Sequence, residues 1–191
     1  IKELKARIIK DSRNGKTILV SIRSEHGIFT ASSPSGKSIG KYEKESYIGT
    51  IEQDIESLKN LKFDFSIEIF SDLEKVEKNV KGKIGANMIF ALESAILKAV
   101  AFEQNKEVWQ LININAKKMP FPVGNCIEGG MHAKTGKKPD FQEFLVIPMA
   151  EKFVDNLFLM QKMHEDIGRV LKAKKFTDEN AWQTEKSCEE V

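Results

Sequence analysis

Two closely spaced prolines, Pro120 and Pro122, constrain this chain more than any other feature, because neither can continue a helix and each lacks the N–H that a central strand needs. They follow Lys117-Lys118 and divide the sequence near residue 118. Before them, Leu4–Ile9, Thr17–Ile22 and a segment near Ile28–Ala31 read as strands. Asn14-Gly15 and Glu25-His26-Gly27 supply the turns of an antiparallel meander. A Ser/Gly/Lys-rich loop over 32–41 precedes helices expected at 47–59, 67–79, 86–104 and 107–115. In the third of these, Ile89, Leu92, Ala95, Ile96, Ala99 and Val100 recur at helical spacing, with Asn87 either capping the helix or sitting in its first turn. Beyond the prolines the order is strand, strand, a helix over 150–174, a loop, and the start of another helix after Thr184. The expected fold is therefore an α+β domain over 1–118, a three-stranded antiparallel meander plus helices, followed over 119–191 by the opening of an α/β unit.

Composition excludes several classes. A net charge of +2 is too small to argue for nucleic acid or an anionic membrane, although scattered lysines suit a phosphorylated substrate. No stretch has the apolar length of a membrane span, and Ile1-Lys2-Glu3-Leu4 does not begin a secretory signal. Cys126 and Cys188 lie far apart and match no metal spacing, as reduced residues of a cytoplasmic protein would.

Three polar clusters interrupt or end the apolar segments of the second half. Gly129-Gly130 frees the backbone just ahead of His132. Gln142-Glu143 places a carboxylate inside the apolar run Phe141–Pro148, where it is costly to bury unless paired, protonated or metal-bound. Asp178-Glu179 follows the long helix on an expected loop. The ends of strands and the loops beyond them are where an α/β barrel carries its chemistry.

Taken together these strings resemble the enolases. That family carries Asp-Ser-Arg, Pro-Ser-Gly-x-Ser-x-Gly-x-x-Glu, Gly-Ala-Asn, Gly-Gly-x-His-Ala, Gln-Glu-Phe and Asp-Glu in this order. Here they are Asp11-Ser12-Arg13, Pro34 to Glu43, Gly85-Ala86-Asn87, Gly129 to Ala133, Gln142-Glu143-Phe144 and Asp178-Glu179. The resemblance implies an enolase N-terminal domain followed by the start of an enolase-type barrel, and a reversible dehydration of 2-phosphoglycerate to phosphoenolpyruvate that depends on Mg2+. It implies that Ser38 ligates a second magnesium when substrate is present and that Gly36, in the same loop, contacts substrate. His132 would lie beside the substrate phosphate, and Gln142 and Glu143 against substrate and an active-site water. Glu179 would be the general acid that assists departure of the C3 hydroxyl, a task that at neutral pH needs a raised pKa. The base lysine and three acidic magnesium ligands sit on later barrel strands in that family. The expected partners are accordingly a second copy of the chain or a chain that completes the barrel.

Departures from the family pattern are specific. Asp11–Thr17 reverses the usual Gly-Asn and lacks a Pro, and the interval from His132 to Glu143 is two residues longer, with Lys134, Lys137 and Lys138 in the insertion. Asn180-Ala181 replaces Gly-Gly after Glu179. If either Gly takes positive φ in that family, Asn180 tolerates it, whereas Ala181 would be strained. Only two barrel strands are legible against the eight or so that close such a barrel. Lys186–Val191 reads as helix interior without a stop, so the expectation is a fragment, or a chain that another polypeptide completes.

Without the resemblance the same residues have plainer readings. His132 is a solvated loop residue, Glu143 the exposed face of a half-buried strand, Asp178-Glu179 the cap of a following helix, and Ser38 an ordinary serine. Phe158, Met160 and Met163 read as core. His26 and His164 have no motif around them. Ala31–Ser38 also satisfies a relaxed phosphate-loop pattern ending Gly-Lys-Ser, against which stand Ala31 in place of the first Gly, Pro34 without an N–H, and no following apolar strand ending in Asp. A non-catalytic, enolase-like binding or assembly protein is the other alternative.

Overall fold

A computed structural model describes residues 1–36, 39–133 and 136–191. The chain forms two compact units, Ile1–Ala116 and Lys117–Val191.

In the first unit, β1 (Glu3–Lys10), β2 (Lys16–Arg23) and β3 (Ile28–Ser32) form an antiparallel sheet in the order β1-β2-β3. The first turn is built by Asp11, whose Oδ1 accepts from the N–H groups of Arg13 (2.9 Å) and Gly15 (2.7 Å), while Asn14 takes φ 63°. An Asx-type turn of this kind explains why reversing the family's Gly-Asn leaves the meander intact. Ile18, Val20 and Ile22 alternate along β2 and are buried, which fixes the register, since a one-residue slip would turn all of them to solvent. Against β2 and β3 packs the helix α3 (Ala86–Glu103), and its Met88, Leu92, Ala95 and Ile96 complete the core.

Helix boundaries differ from the expected ones for local reasons. The first helix, α1, is Ile51–Lys59 rather than 47–59, because Gly49 takes φ 81° and Thr50 caps the helix in a capping box with Gln53. The second expected helix is a 3-10 turn, Phe70–Asp72, leading into α2 (Leu73–Val80), and the fourth, α4, is only Val108–Ile112. Asn87 lies in the first turn of α3, with Gly85 at the cap. The N-terminus of α3 is satisfied by a neighbouring segment. Ala86 N–H donates to Glu45 O (2.9 Å), Asn87 N–H to Ser46 O (3.0 Å), and Gly85 N–H to Oδ2 of the buried Asp54 (2.7 Å). Asp54 Oδ1 accepts from Ile48 N–H (3.0 Å). Burial pushes the Asp54 carboxyl up, and these two amide donors oppose it. A Cβ on Gly85 would stand 2.3 Å from Tyr47 Cα, so only glycine allows this approach.

The second unit contains β4 (Gly124–Glu128), β5 (Glu143–Val146), the helix α5 (Phe153–Leu171) and β6 (Trp182–Gln183). Its sheet is mixed, in the order β5-β4-β6: β4 pairs antiparallel with β5 and parallel with β6. β6 is a third strand beyond the two legible in the sequence. Two residues are too few to produce an alternating pattern. Nor does a helix follow Thr184. The segment there folds into a turn in which Ser187 N–H donates to Glu190 Oε2 at 2.7 Å. α5 packs on β4 and ends at Lys172 in the left-handed conformation, φ 52°. Phe158 and Met163, read from sequence as core, are 68% and 36% exposed on this helix.

The buried part of α3 carries one titratable anomaly. Glu93 Oε1 has no hydrogen-bond partner among the described residues, and burial, with the nearby Glu77 charge second, pushes the Glu93 carboxyl up to about 7 from 4.5. The folded chain holds this proton more tightly than the unfolded chain. The stability it contributes is therefore complete below about pH 4.5 and is lost as pH rises through about 7. Glu93→Gln is expected to remove that loss. Thermal melts across this pH window should show the variant gaining on the unsubstituted chain as pH rises, and parallel curves would refute the assignment.

Candidate functional site

β4 ends in Glu128, and the chain turns at once through Gly129-Gly130. Gly129 N–H donates to Gln142 O (3.0 Å) and Gly130 N–H to Pro139 O (2.8 Å), so the turn is stitched to the segment that enters β5. A Cβ on Gly129 would meet Pro139 O at 2.3 Å, and Gly130 takes φ 50°. Both glycines are thus required by geometry. The turn closes with His132 and Ala133 N–H groups on Gly129 O (3.0 and 3.1 Å), which swings the imidazole back over the end of β4.

His132 is not the solvated loop residue of the plainer reading. Its side chain is 10% exposed, and Nδ1 lies 3.9 Å from Glu128 Oε1, 3.8 Å from Glu143 Oε1 and 3.9 Å from Glu179 Oε2. All three separations exceed hydrogen-bond length. Neither ring nitrogen has a hydrogen-bond partner among the described residues. Glu128 is fully buried, with Oε1 accepting from Asn125 Nδ2 at 2.8 Å. The Glu143 and Glu179 side chains remain partly open, 40% and 30% exposed, so one side of the cluster faces solvent.

Glu179 is delivered by a rigid loop. Thr177 N–H donates to Ala181 O (2.8 Å), Asn180 N–H to Thr177 O (3.1 Å), and Thr177 Oγ1 accepts from the N–H groups of Glu179 and Ala181, both at 3.3 Å. Asn180 takes the positive φ, 64°, while Ala181 has negative φ and is fully buried. The replacement of Gly-Gly therefore puts the tolerant residue where the strain falls. No helix follows this loop, so Asp178-Glu179 is not a helix cap. Behind the loop, the His164 ring stacks on Phe176 (5.8 Å between centroids) and Trp182 (5.4 Å). His164 Nε2 lies 2.9 Å from Asn180 O, an oxygen that only accepts, so Nε2 carries the proton. Trp182 Nε1–H returns the bond to His164 O at 2.8 Å. His164, which no motif marked, is the residue that ties the Glu179 loop to α5.

The structure thus brings His132, Glu143 and Glu179 together and adds Glu128, which the sequence reading passed over as the end of an apolar strand. The available signal was an acid closing Cys126-Ile127 immediately before Gly-Gly. Gln142 contributes its backbone carbonyl to the turn, and its side chain is exposed. Gly36 belongs to the first unit, where its carbonyl and that of Ser35 accept from Arg13 Nη2 (3.0 and 2.7 Å). Ser38, with Lys37 of the phosphate-loop alternative, lies outside the described residues, as does Lys134. Between β3 and Ile51 no helix forms among the described residues, which removes the helix that a phosphate loop requires. Of the inserted lysines, Lys138 Nζ donates to Ala133 O (2.9 Å) and Lys137 pairs with Glu190 (3.1 Å). Cys126 and Cys188 are both free thiols.

An imidazole enclosed by carboxylates at the end of one strand, the start of another and a loop is an arrangement able to move protons or hold a cation. Residues 116–185 match the family model described as the enolase C-terminal TIM barrel domain. The chain is 33% identical to the enolase of Ehrlichia ruminantium over 92% of its own length and 46% of that protein's. It is 32% identical to the enolase of Methanothermobacter thermautotrophicus, over 91% of this chain and 44% of the relative. The enolase of Methanosphaera stadtmanae is also 32% identical, over 100% and 50% respectively. The chain belongs to the enolase family, and it spans about half the length of the curated relatives it matches.

A test of the loop's support lies at Gly168 in α5, where a Cβ would stand 2.3 Å from the Trp182 indole. Gly168→Ala is expected to displace Trp182 and destabilise the fold by about 1–3 kcal/mol. Denaturant unfolding followed by tryptophan fluorescence would check this. An unchanged midpoint and spectrum would mean that the stack does not hold the loop.

Proposed function

We propose that this chain is the N-terminal part of an enolase, acting with the remainder of a barrel in the reversible, Mg2+-dependent dehydration of 2-phosphoglycerate to phosphoenolpyruvate. In this reading 1–118 is the enolase N-terminal domain and 119–191 supplies the first strands and helix of the barrel. The supporting observation is the convergence of Glu143 and Glu179 on one nitrogen of His132, at 3.8 and 3.9 Å. Residues from three separate segments meet there at separations beyond hydrogen-bond length, as groups do that are arranged around something else.

Each side chain then has a task. Glu179, on its braced loop, protonates the departing C3 hydroxyl, a positioned acid contributing about 10²–10⁴-fold. Glu143 and Gln142 hold the substrate and a water, and His132 lies beside the substrate phosphate. Gly36 is assigned to substrate binding in the same reading. The base that removes the C2 proton comes from the rest of the barrel, so the chain by itself is expected to be inactive.

Magnesium enters through family membership. The described cluster of Glu128, His132 and Glu179 does not fit it, because Mg2+ takes oxygen donors in near-octahedral array and one donor here is an imidazole nitrogen. Ser38 is the conditional ligand this sequence offers, and the acidic ligands belong with the base. The partners in this reading are the phosphorylated substrate and either a second copy or a barrel-completing chain, in the cytoplasm, with no role for nucleic acid or membrane. No helix among the described residues is long and apolar enough to cross a membrane.

Magnesium-dependent formation of phosphoenolpyruvate by the protein isolated from its native source, with any partner retained, tests the assignment. Glu179→Gln is expected to lower kcat by about 10²–10⁴-fold with KM little changed. Absence of activity in well-folded unsubstituted material would overturn it, in favour of a binding or assembly role.

A further inference from the structure

We infer that Glu128, His132 and Glu179 form a binding site for a divalent transition-metal ion of the zinc class. Three observations carry this, and none depends on the dehydration. Glu128, His132 and Glu179 each offer one ligand atom, and these atoms all lie within 4.8 Å of one another. Both carboxylate oxygens stand 3.9 Å from His132 Nδ1, too far for a hydrogen bond. Ligand atoms bound at about 2.0–2.2 Å to one ion lie roughly 3–4.4 Å apart, a range that includes the 3.9 Å between Nδ1 and each carboxylate. Finally, the imidazole is nine-tenths buried, with both nitrogens lacking a hydrogen-bond partner among the described residues and Nδ1 turned into the cluster.

The donor set selects the ion. One imidazole nitrogen with carboxylate oxygens suits zinc, cobalt or manganese better than magnesium or calcium, which prefer oxygen alone. Glu143 Oε1, 3.8 Å from the same nitrogen and partly open, flanks the solvent side from which an ion would enter. Asn125 Nδ2, donating to Glu128 Oε1 at 2.8 Å, fixes the orientation of the buried ligand as outer-shell partners do.

Equilibrium dialysis of the metal-stripped full chain against Zn2+ is the direct test, with Co2+ replacing Zn2+ to supply a visible spectrum. The expected result is one equivalent bound per chain, retained in a large excess of Mg2+. The Co2+ form should show paramagnetically shifted imidazole proton resonances. His132→Asn is expected to abolish those resonances, and Glu128→Gln and Glu179→Gln to weaken Zn2+ binding by about tenfold to a hundredfold or more. Should the buried Glu128→Gln variant fail to fold, His132→Asn and Glu179→Gln decide the matter, since both residues sit at the turn and loop rather than within the strand. Failure of the unsubstituted chain to bind, or binding unaltered in His132→Asn or Glu179→Gln, would overturn the inference.

Discussion

A carboxylate with no exposure to water, Glu128, sets the terms for the second unit. Burying such a group is unfavourable by several kcal/mol unless its surroundings compensate. Asn125, on the same strand, donates to it, and the Gly-Gly turn lays His132 against it. Each of these neighbours is itself fixed by a backbone requirement, whether a glycine without room for Cβ, a braced loop or a strand register. The electrostatics of one residue and the path of the chain around it are therefore a single problem with a single solution.

The first unit meets the same difficulty with a different device. Asp54 is as deeply buried as Glu128, yet its oxygens accept backbone N–H groups from Ile48 and Gly85. A carboxylate satisfied by amides is finished structure, and nothing remains to be bound. At Glu128 the partners are side chains instead: Oε1 accepts from Asn125 Nδ2 at 2.8 Å, and the His132 imidazole stands 3.9 Å away. The contrast is between a buried acid held by backbone amides and one surrounded by side chains.

How much of this was legible from sequence followed from how local the cause was. β1, β2 and α3 were legible almost to the residue, because alternation and helical spacing are written in neighbouring positions. The start of α1 was missed although Thr50 and Gln53 carry the capping-box spacing, since apolar Tyr47 and Ile48 extended the helical pattern past it. The helix expected after Thr184 is replaced by a turn in which Glu190 accepts from the Ser187 amide. Of the site, His132, Glu143 and Glu179 stand out through their motifs, and of the two positions replacing Gly-Gly it is the tolerant Asn180 that takes positive φ. β6, Glu128 as a member of the cluster, and His164 as the brace were hidden. Each depends on contacts between positions far apart in the chain, where no local pattern exists to be read.

The parallel pairing of Ile127 with Trp182 also has a meaning in time. β4 and β5 are joined by a short excursion and can zip early, and α5 can form from its own sequence. The β4–β6 ladder must wait until the whole of that intervening chain has been drawn into a closed loop, whose entropy is lost before the ladder forms. Glu179 rides on the residues just before β6, so its place in the cluster is tied to the closure of that long loop.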